Sequence, residues 1–312
     1  MNRPRSIARL AGASTFALLL ATAAAVAGSF RVATYNLNNY LDQTTESRRE
    51  LKSAAARAKI RESILAIKPD VIAFEEMGGV SALRELQASL KAEGLDLPHW
   101  EHVTGFDTNI HVALLSRFPI TARRPHTNDN FLLSGRRFRV SRGFLEVDLK
   151  VSDTYSFTLL AAHLKSRRPV PEADEAELRL AEAKLLREKI DADLKAKPDL
   201  NLVVLGDFNN TKDSPSTRLV IGHGSTKLVD TRPAERNGDN LPNPNPAWEP
   251  MNVTWTHYYG KEDSYSRIDY ILLSPGLAKE WIKAETCIPT IPNWGLGSDH
   301  RPIVAAFEAE NE

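Results

Sequence analysis

From Phe30 onward, apolar and polar positions alternate between a period near two and a period near four. Phe30–Asn36 sets Val32 and Thr34 between small or aromatic neighbours and reads as a strand. Ser47–Ile67 is charged on one side and apolar on the other, with Ile60, Ile64 and Ile67 at helical spacing, and Pro69 stops it. Asp70–Glu75 follows as a buried strand and Ser81–Ala92 as a second helix, with Leu83, Leu86 and Leu90 on one face. Closely spaced strand signals come next, at Trp100–Val103, His111–Ser116, Gly143–Val151 and Ser156–Leu164. Glu172–Ala196 is the longest helical pattern, and its many charges read as a solvated face with i,i+4 pairs. Asn201–Leu205, Ile268–Leu273 and Pro302–Phe307 complete the strands.

This order predicts an α/β fold of two sheets packed face to face with helices outside. The stretch from Asp230 to Asp263, dense in Pro and Asn, is too long for a plain connection and is expected to be functional or mobile. No change of composition marks a second domain, so residues 28–312 are expected to form one domain.

Residues 1–27 are set apart from it. Arg3, Arg5 and Arg9 precede an uncharged apolar stretch ending in Ala25-Val26-Ala27, the pattern of a cleavable signal peptide for a secreted or periplasmic protein. A retained anchor is the alternative, since Leu10–Ala27 could just span a bilayer. Removing residues 1–27 takes away three arginines and no acid, which leaves 37 basic against 40 acidic side chains, a net charge of −3. That balance excludes a bulk polyanion binder, so any contact with nucleic acid needs a local patch. Cys287 is the sole cysteine, which rules out an internal disulfide and a cysteine-based zinc site.

Chemistry is signalled by where polar residues fall. Nearly every strand ends in a residue that hydrocarbon packing would not select: Asn36, Glu75-Glu76, His163, Asp207 and Asn209, Asp269, and Asp299-His300. In layered α/β folds such strand ends gather at one rim. Carboxylates and amides there suit a hard cation, Mg²⁺ or Mn²⁺, and two histidines add acid–base groups that work near neutral pH. Together these are the means of attacking a phosphate ester.

Tyr35-Asn36, Phe74-Glu75-Glu76-Met77, Leu114-Leu115-Ser116-Arg117-Phe118-Pro119-Ile120, His163-Leu164-Lys165-Ser166, Gly206-Asp207-Phe208-Asn209, Arg267-Ile268-Asp269-Tyr270 and Gly297-Ser298-Asp299-His300-Arg301-Pro302 occur in this order. The series resembles the motifs of the endonuclease/exonuclease/phosphatase superfamily over residues 30–308. The resemblance implies a four-layer α/β sandwich and a divalent-metal-dependent phosphodiesterase. It implies that Glu76 binds the metal, with Asn36 and Asp299 helping to hold the ion or its waters. It further implies that Asp207 and Asn209 orient the attacking water and the phosphate, that His300 is the base, oriented by Asp269, and that His163 stabilises or protonates a phosphoryl oxygen. Accounts of the family divide base duty differently between Asp207 and His300.

One departure is Glu75, where relatives often carry an amide: it either adds a carboxylate to the metal or points away by strand alternation. Another is the lack of an evident acidic partner for His163. His111, His126, His223 and His257 match no motif and are assigned to surface or packing roles. Arg123, Arg124, Arg136, Arg137, Arg139 and Arg142 form the densest basic run; Arg136 and Arg137, with Arg167 near His163, are the candidate substrate-binding residues for a polyanion. Trp248, Trp255, Tyr258 and Tyr259 could touch a base, a sugar ring or an interface. Nucleic acid is thus the expected substrate, with a phospholipid or inositol phosphate as the alternative; no feature calls for a protein partner, and a monomer is expected.

Overall fold

Strand alternation and helix capping account for most of the secondary structure in the computed structural model, which describes residues 28–235 and 252–309. The expected signal segment, Trp248 and much of the Pro/Asn-rich stretch lie outside the described residues. The first half of the chain forms β1 (Ser29–Tyr40), α1 (Ala54–Ile67), β2 (Val71–Met77), α2 (Val80–Ala92), β3 (His99–Val103), β4 (His111–Ser116) and β5 (Ile120–Arg123). A ribbon of β6 (Asn130–Leu133) and β7 (Arg136–Arg139) leads to β8 (Phe144–Lys150), β9 (Ser156–His163) and α3 (Glu175–Ala196). Then come β10 (Leu202–Asp207), α4 (Pro215–Ile221), β11 (Val229–Asp230), a ribbon of β12 (His257–Tyr259) and β13 (Ser264–Ser266), β14 (Asp269–Leu273), β15 (Trp281–Cys287) and β16 (Ile303–Glu308).

Two six-stranded mixed sheets result, in the orders β15-β16-β1-β2-β4-β3 and β11-β14-β10-β9-β8-β5. Alternate residues of each strand meet between the sheets: Val32, Ala73 and Ala305 from one, Leu159, Leu205 and Ile271 from the other. The intervening residues pack outward, Tyr35 and Phe74 with Ile60, Ile64 and Leu83, and Val204 and Leu272 with Leu186 and Ile190 of α3. The layers are therefore helix, sheet, sheet, helix, the expected four-layer sandwich. Phe30 closes the end of the core remote from the site, stacking on Phe157 at 5.1 Å and Phe307 at 5.3 Å. Full burial of one such ring contributes roughly 1.5–3 kcal/mol.

Several elements differ from expectation for local reasons. α1 begins at Ala54, not Ser47, because the Ser53 side chain accepts from Ala56 N and caps it. β15 is an edge strand in which Lys283 and Glu285 mask the alternation. The solvated reading of α3 is corrected by three buried charges, Arg179, Glu182 and Arg187. Glu182 accepts from Ser141 N and Oγ (both 2.9 Å) and from Lys165 N (2.6 Å), tying together two loops that flank the site. Arg187 donates to the carbonyls of Val220 and Ile221 at the C-terminal end of α4.

Candidate active site

The register of the strands assembles the site. Asp207 at the end of β10 pairs with His163 on β9 and with Asp269 on β14. Those residues continue the parity of Leu159, Leu205 and Ile271, so the alternation that fills the core also points His163, Asp207 and Asp269 inward at the rim. Gly206 makes this possible: its φ is +128°, and a Cβ there would lie 2.1 Å from Ala162 O. From the other sheet, Asn36 is in register with Glu75, and its Nδ2 reaches across to Asp207 Oδ2 at 3.0 Å. Asn209, in the left-handed region at φ 53°, folds back so that its N–H donates to Asp207 Oδ1 (2.7 Å) while Nδ2 donates to Leu164 O (3.0 Å). Ser298 holds the Asp299-His300 turn, donating to Asn36 O at 2.8 Å and accepting from His300 N.

The electrostatics of this buried group are set by crowding. His300 Nδ1 lies 2.9 Å from Asp269 Oδ2, and His300 Nε2 lies 3.8 Å from Asp207 Oδ2. Burial works against a charge on His300, but Asp269, Asp207 and Asp299 outweigh it and hold the imidazolium well above the ordinary histidine range. Asp207 is pushed up to about 7, by burial first and then by Asp269. His163 is held well below its usual range, by burial first and then by the cations of Arg142 and His300. Its Nε2 is 3.5 Å from Asp207 Oδ2, so the missing acidic partner is Asp207 itself, although a neutral ring makes no ion pair with it.

The two consecutive glutamates part company. Glu75 keeps the inward parity of Ala73, is fully buried and accepts from Thr34 Oγ1 at 2.7 Å. Burial first, then the Asp269 and Asp207 charges, drive its carboxyl well above the ordinary range, which favours its protonated form. Glu76 takes φ 58° at a break in the β2 register, emerges at the cleft and accepts from Asn39 N at 3.0 Å. Lys52, which sequence reasoning passed over, donates to Gly297 O at 2.6 Å. Burial lowers its ammonium, while Asp299 and Glu76 draw it back up. A place that holds an ammonium in the field of two carboxylates favours a cation, and the donors there are hard oxygens. Among the described residues, two further groups bring three ligand atoms within 4.8 Å of one another: Asp207 with Asp269 and His300, and His257 with Asp299 and His300.

His257 is a correction. Expected at the surface or in packing, it stands on β12 with its ring 4.5 Å from that of His300 and its Nε2 3.8 Å from Asp299 Oδ2. The basic run also divides. Arg123 pairs with Glu101 and Arg124 with Asp148 and Glu146, away from the site. Arg136, Arg137 and Arg139 are exposed on the β6–β7 ribbon, and Arg142 is buried beside His163. Arg167 borders the site, its Nε donating to Asn209 O at 3.1 Å. Trp255 is no free platform, for Arg301 lies over its ring at 4.1 Å. A cleft of about 820 Å³ runs from Glu76 between Arg48, Arg142, Lys165 and Arg168.

Known proteins share this fold. A profile of the Endonuclease/Exonuclease/phosphatase family matches residues 33–300. The beta toxin of Staphylococcus aureus superposes with a TM-score of 0.62 at 16% identity, covering 88% of this chain and 99% of that one. The human Nocturnin catalytic domain with bound sulfate gives 0.60 at 16% identity, covering 90% and 95%. Sphingomyelinase C from Streptomyces griseocarneus gives 0.56 at 17% identity, covering 90% and 100%. No curated protein sequence matches the chain. With motifs, sandwich and family profile coinciding along most of its length, the chain belongs to the endonuclease/exonuclease/phosphatase family of phosphoester-hydrolysing enzymes.

Proposed function

We propose that the protein is an exported, divalent-metal-dependent phosphodiesterase that cleaves nucleic acid by in-line attack of water. The observation that carries the polymer substrate is the cleft: four cationic side chains line it beside Glu76, and the arginines of the β6–β7 ribbon extend that charge outward. A row of cations leading away from a carboxylate pole suits a chain of phosphates better than a single one.

Asp207 is the proton acceptor in this reading, because a carboxyl titrating at about 7 is matched to the task near neutral pH. Asn209 and Asn36 hold its two oxygens in place. His300 keeps its proton between three carboxylates and donates to a phosphoryl oxygen, which moves base duty away from the residue the motifs suggested. His163, neutral, gives that oxygen a second hydrogen bond through a ring N–H. Glu76 and Asp299 would hold Mg²⁺ or Mn²⁺, which supplies charge neutralisation at the reacting phosphate. The Asn36 amide donates to Asp207 and accepts from Asn38 N, which leaves a lone pair on Oδ1 for the ion or one of its waters. Export rests on the basic, apolar and small-residue pattern of residues 1–27.

A second reading, a lipid phosphodiesterase, draws on Phe106 and Leu132, which are 66% and 68% exposed near the cleft and at the ribbon. The deciding experiment is hydrolysis of duplex and single-stranded DNA, RNA, sphingomyelin and an inositol polyphosphate, with Mg²⁺, Mn²⁺ or chelator, beside Asp207→Asn. Metal-dependent loss of nucleic acid, absent in the variant, is expected. Turnover of lipid or inositol substrate alone would overturn the nuclease and keep the chemistry.

A further inference from the structure

The oxygen-rich pole at Glu76 leaves His257 unexplained. Its Nε2 and Asp299 Oδ2 are 3.8 Å apart, and with a ring nitrogen of His300 they make three ligand atoms within 4.8 Å of one another. Two ligands on one zinc-sized ion, each about 2.0–2.2 Å from it, are separated by somewhat less than that, so closure takes small side-chain movements. The backbone holds the frame: Tyr258 N donates to Asp299 O at 2.9 Å, Arg301 N to Thr256 O at 2.7 Å, and His257 on β12 pairs in an isolated antiparallel bridge with His300. Backbone pairing thus holds the three residues side by side, and closure asks movement only of their short side chains.

His300 is oriented as a metal-ligating histidine is, and a divalent cation at its Nε2 takes the place of the proton held there, so binding releases that proton. Asp269 takes its Nδ1, leaving Nε2 directed toward the site. A carboxylate on the far nitrogen is the usual support of such a ligand. Asp299 is partly exposed, which leaves room for water in the remaining position. Two imidazole nitrogens and one carboxylate favour a borderline ion such as Zn²⁺ or Co²⁺ over Mg²⁺, which prefers oxygen.

From these observations we infer that His257, Asp299 and His300 form a nitrogen-donor divalent-cation site that takes Zn²⁺ or Co²⁺. Because it engages His300 and Asp299, its occupation blocks phosphoester hydrolysis; that inhibitory consequence rests on the function proposed above, whereas the binding does not. Zinc would then silence the enzyme while magnesium sustains it.

The test is titration of metal-free protein with Co²⁺, read by visible absorption and by calorimetry, followed by displacement with Zn²⁺. The wild-type chain should bind one Co²⁺ with an intense visible band that Zn²⁺ abolishes. His257→Phe, which keeps an aromatic ring against His300, and Asp299→Asn should each weaken the affinity for both ions at least about tenfold. The Zn²⁺ inhibition constant of His257→Phe, measured against its own Mg²⁺-supported rate, should rise by a similar factor. Equal Co²⁺ affinity and spectrum in wild type and both folded variants would overturn the site, as would the absence of a stoichiometric band in the wild type. If the protein binds Co²⁺ through His257 yet hydrolyses no phosphoester, the metal site stands and the proposed function fails.

Discussion

Asp269→Asn isolates the electrostatic element on which the site depends. Two unit charges 2.9 Å apart, the separation of His300 Nδ1 and Asp269 Oδ2, attract by about 6 kcal/mol at an effective dielectric constant near 20. Desolvation of both buried groups offsets part of this, and removing one member of such a pair costs roughly 3–5 kcal/mol. The amide keeps the carboxylate's size, and Thr256 Oγ1 still accepts from Asp269 N, so the strand end should persist. His300 then loses its strongest attraction, and its titration should fall toward the ordinary imidazole value of 6.5. The assay is NMR of ring-labelled histidine across pH, paired with steady-state turnover of a chromogenic phosphodiester. Turnover should fall by about 10²–10⁴, the scale seen when a carboxylate that orients a catalytic histidine becomes an amide. An unchanged His300 titration in a folded variant would refute the claim that Asp269 holds its proton, and unchanged turnover would refute its part in catalysis.

Other expectations follow from single contacts. In the wild-type enzyme kcat/KM should rise with pH through a limb near 7, where Asp207 ionises; a limb confined to pH 5 or below would remove Asp207 as the base. Glu75 has a folded-state pKa raised above its unfolded value, so the stability from its protonation is full below about pH 4.5 and is lost as pH rises through the folded value. Glu75→Gln should therefore gain in Tm relative to wild type as pH rises, and a gap that does not vary with pH would contradict a neutral Glu75. Glu182→Ala strands the N–H groups of Ser141 and Lys165 and should lower urea stability by about 3–5 kcal/mol with a raised KM; a loss under 1 kcal/mol would mean the loops stand without it. Reversing Arg136 and Arg137 to Glu should cut polynucleotide cleavage and lower the salt slope by roughly two, sparing a small phosphodiester; equal loss on both substrates would remove the ribbon from substrate binding.

Much of this site is legible in the chain because strand alternation is local. A polar residue that follows an inward-facing Leu or Ala by two positions, as His163 follows Ala161 and Asp207 follows Leu205, must point the same way wherever the strand lies. The sheets themselves, and the motif order that marks the family, follow from such short-range patterns. Alternation fails at Glu76, where a left-handed residue and a register break reverse the rule, and no neighbouring residue in sequence announces it.

Tertiary structure alone decided the rest. Asn36 and Asp207, 171 residues apart, meet because two separately formed sheets stack through their apolar faces. His257 joins His300 because the β12–β13 ribbon is laced by backbone hydrogen bonds to a turn far along the chain, and its sequence neighbours give it no periodic context. α3 reads as solvated in sequence, yet Glu182 and Arg187 are buried because backbone donors and carbonyls from distant loops surround them. Residue types and strand parity are local properties of a sequence; the charge state of Asp207, Glu75 and His300 is not. It depends on which carboxylates share a low-dielectric space, and only the packed sandwich determines that.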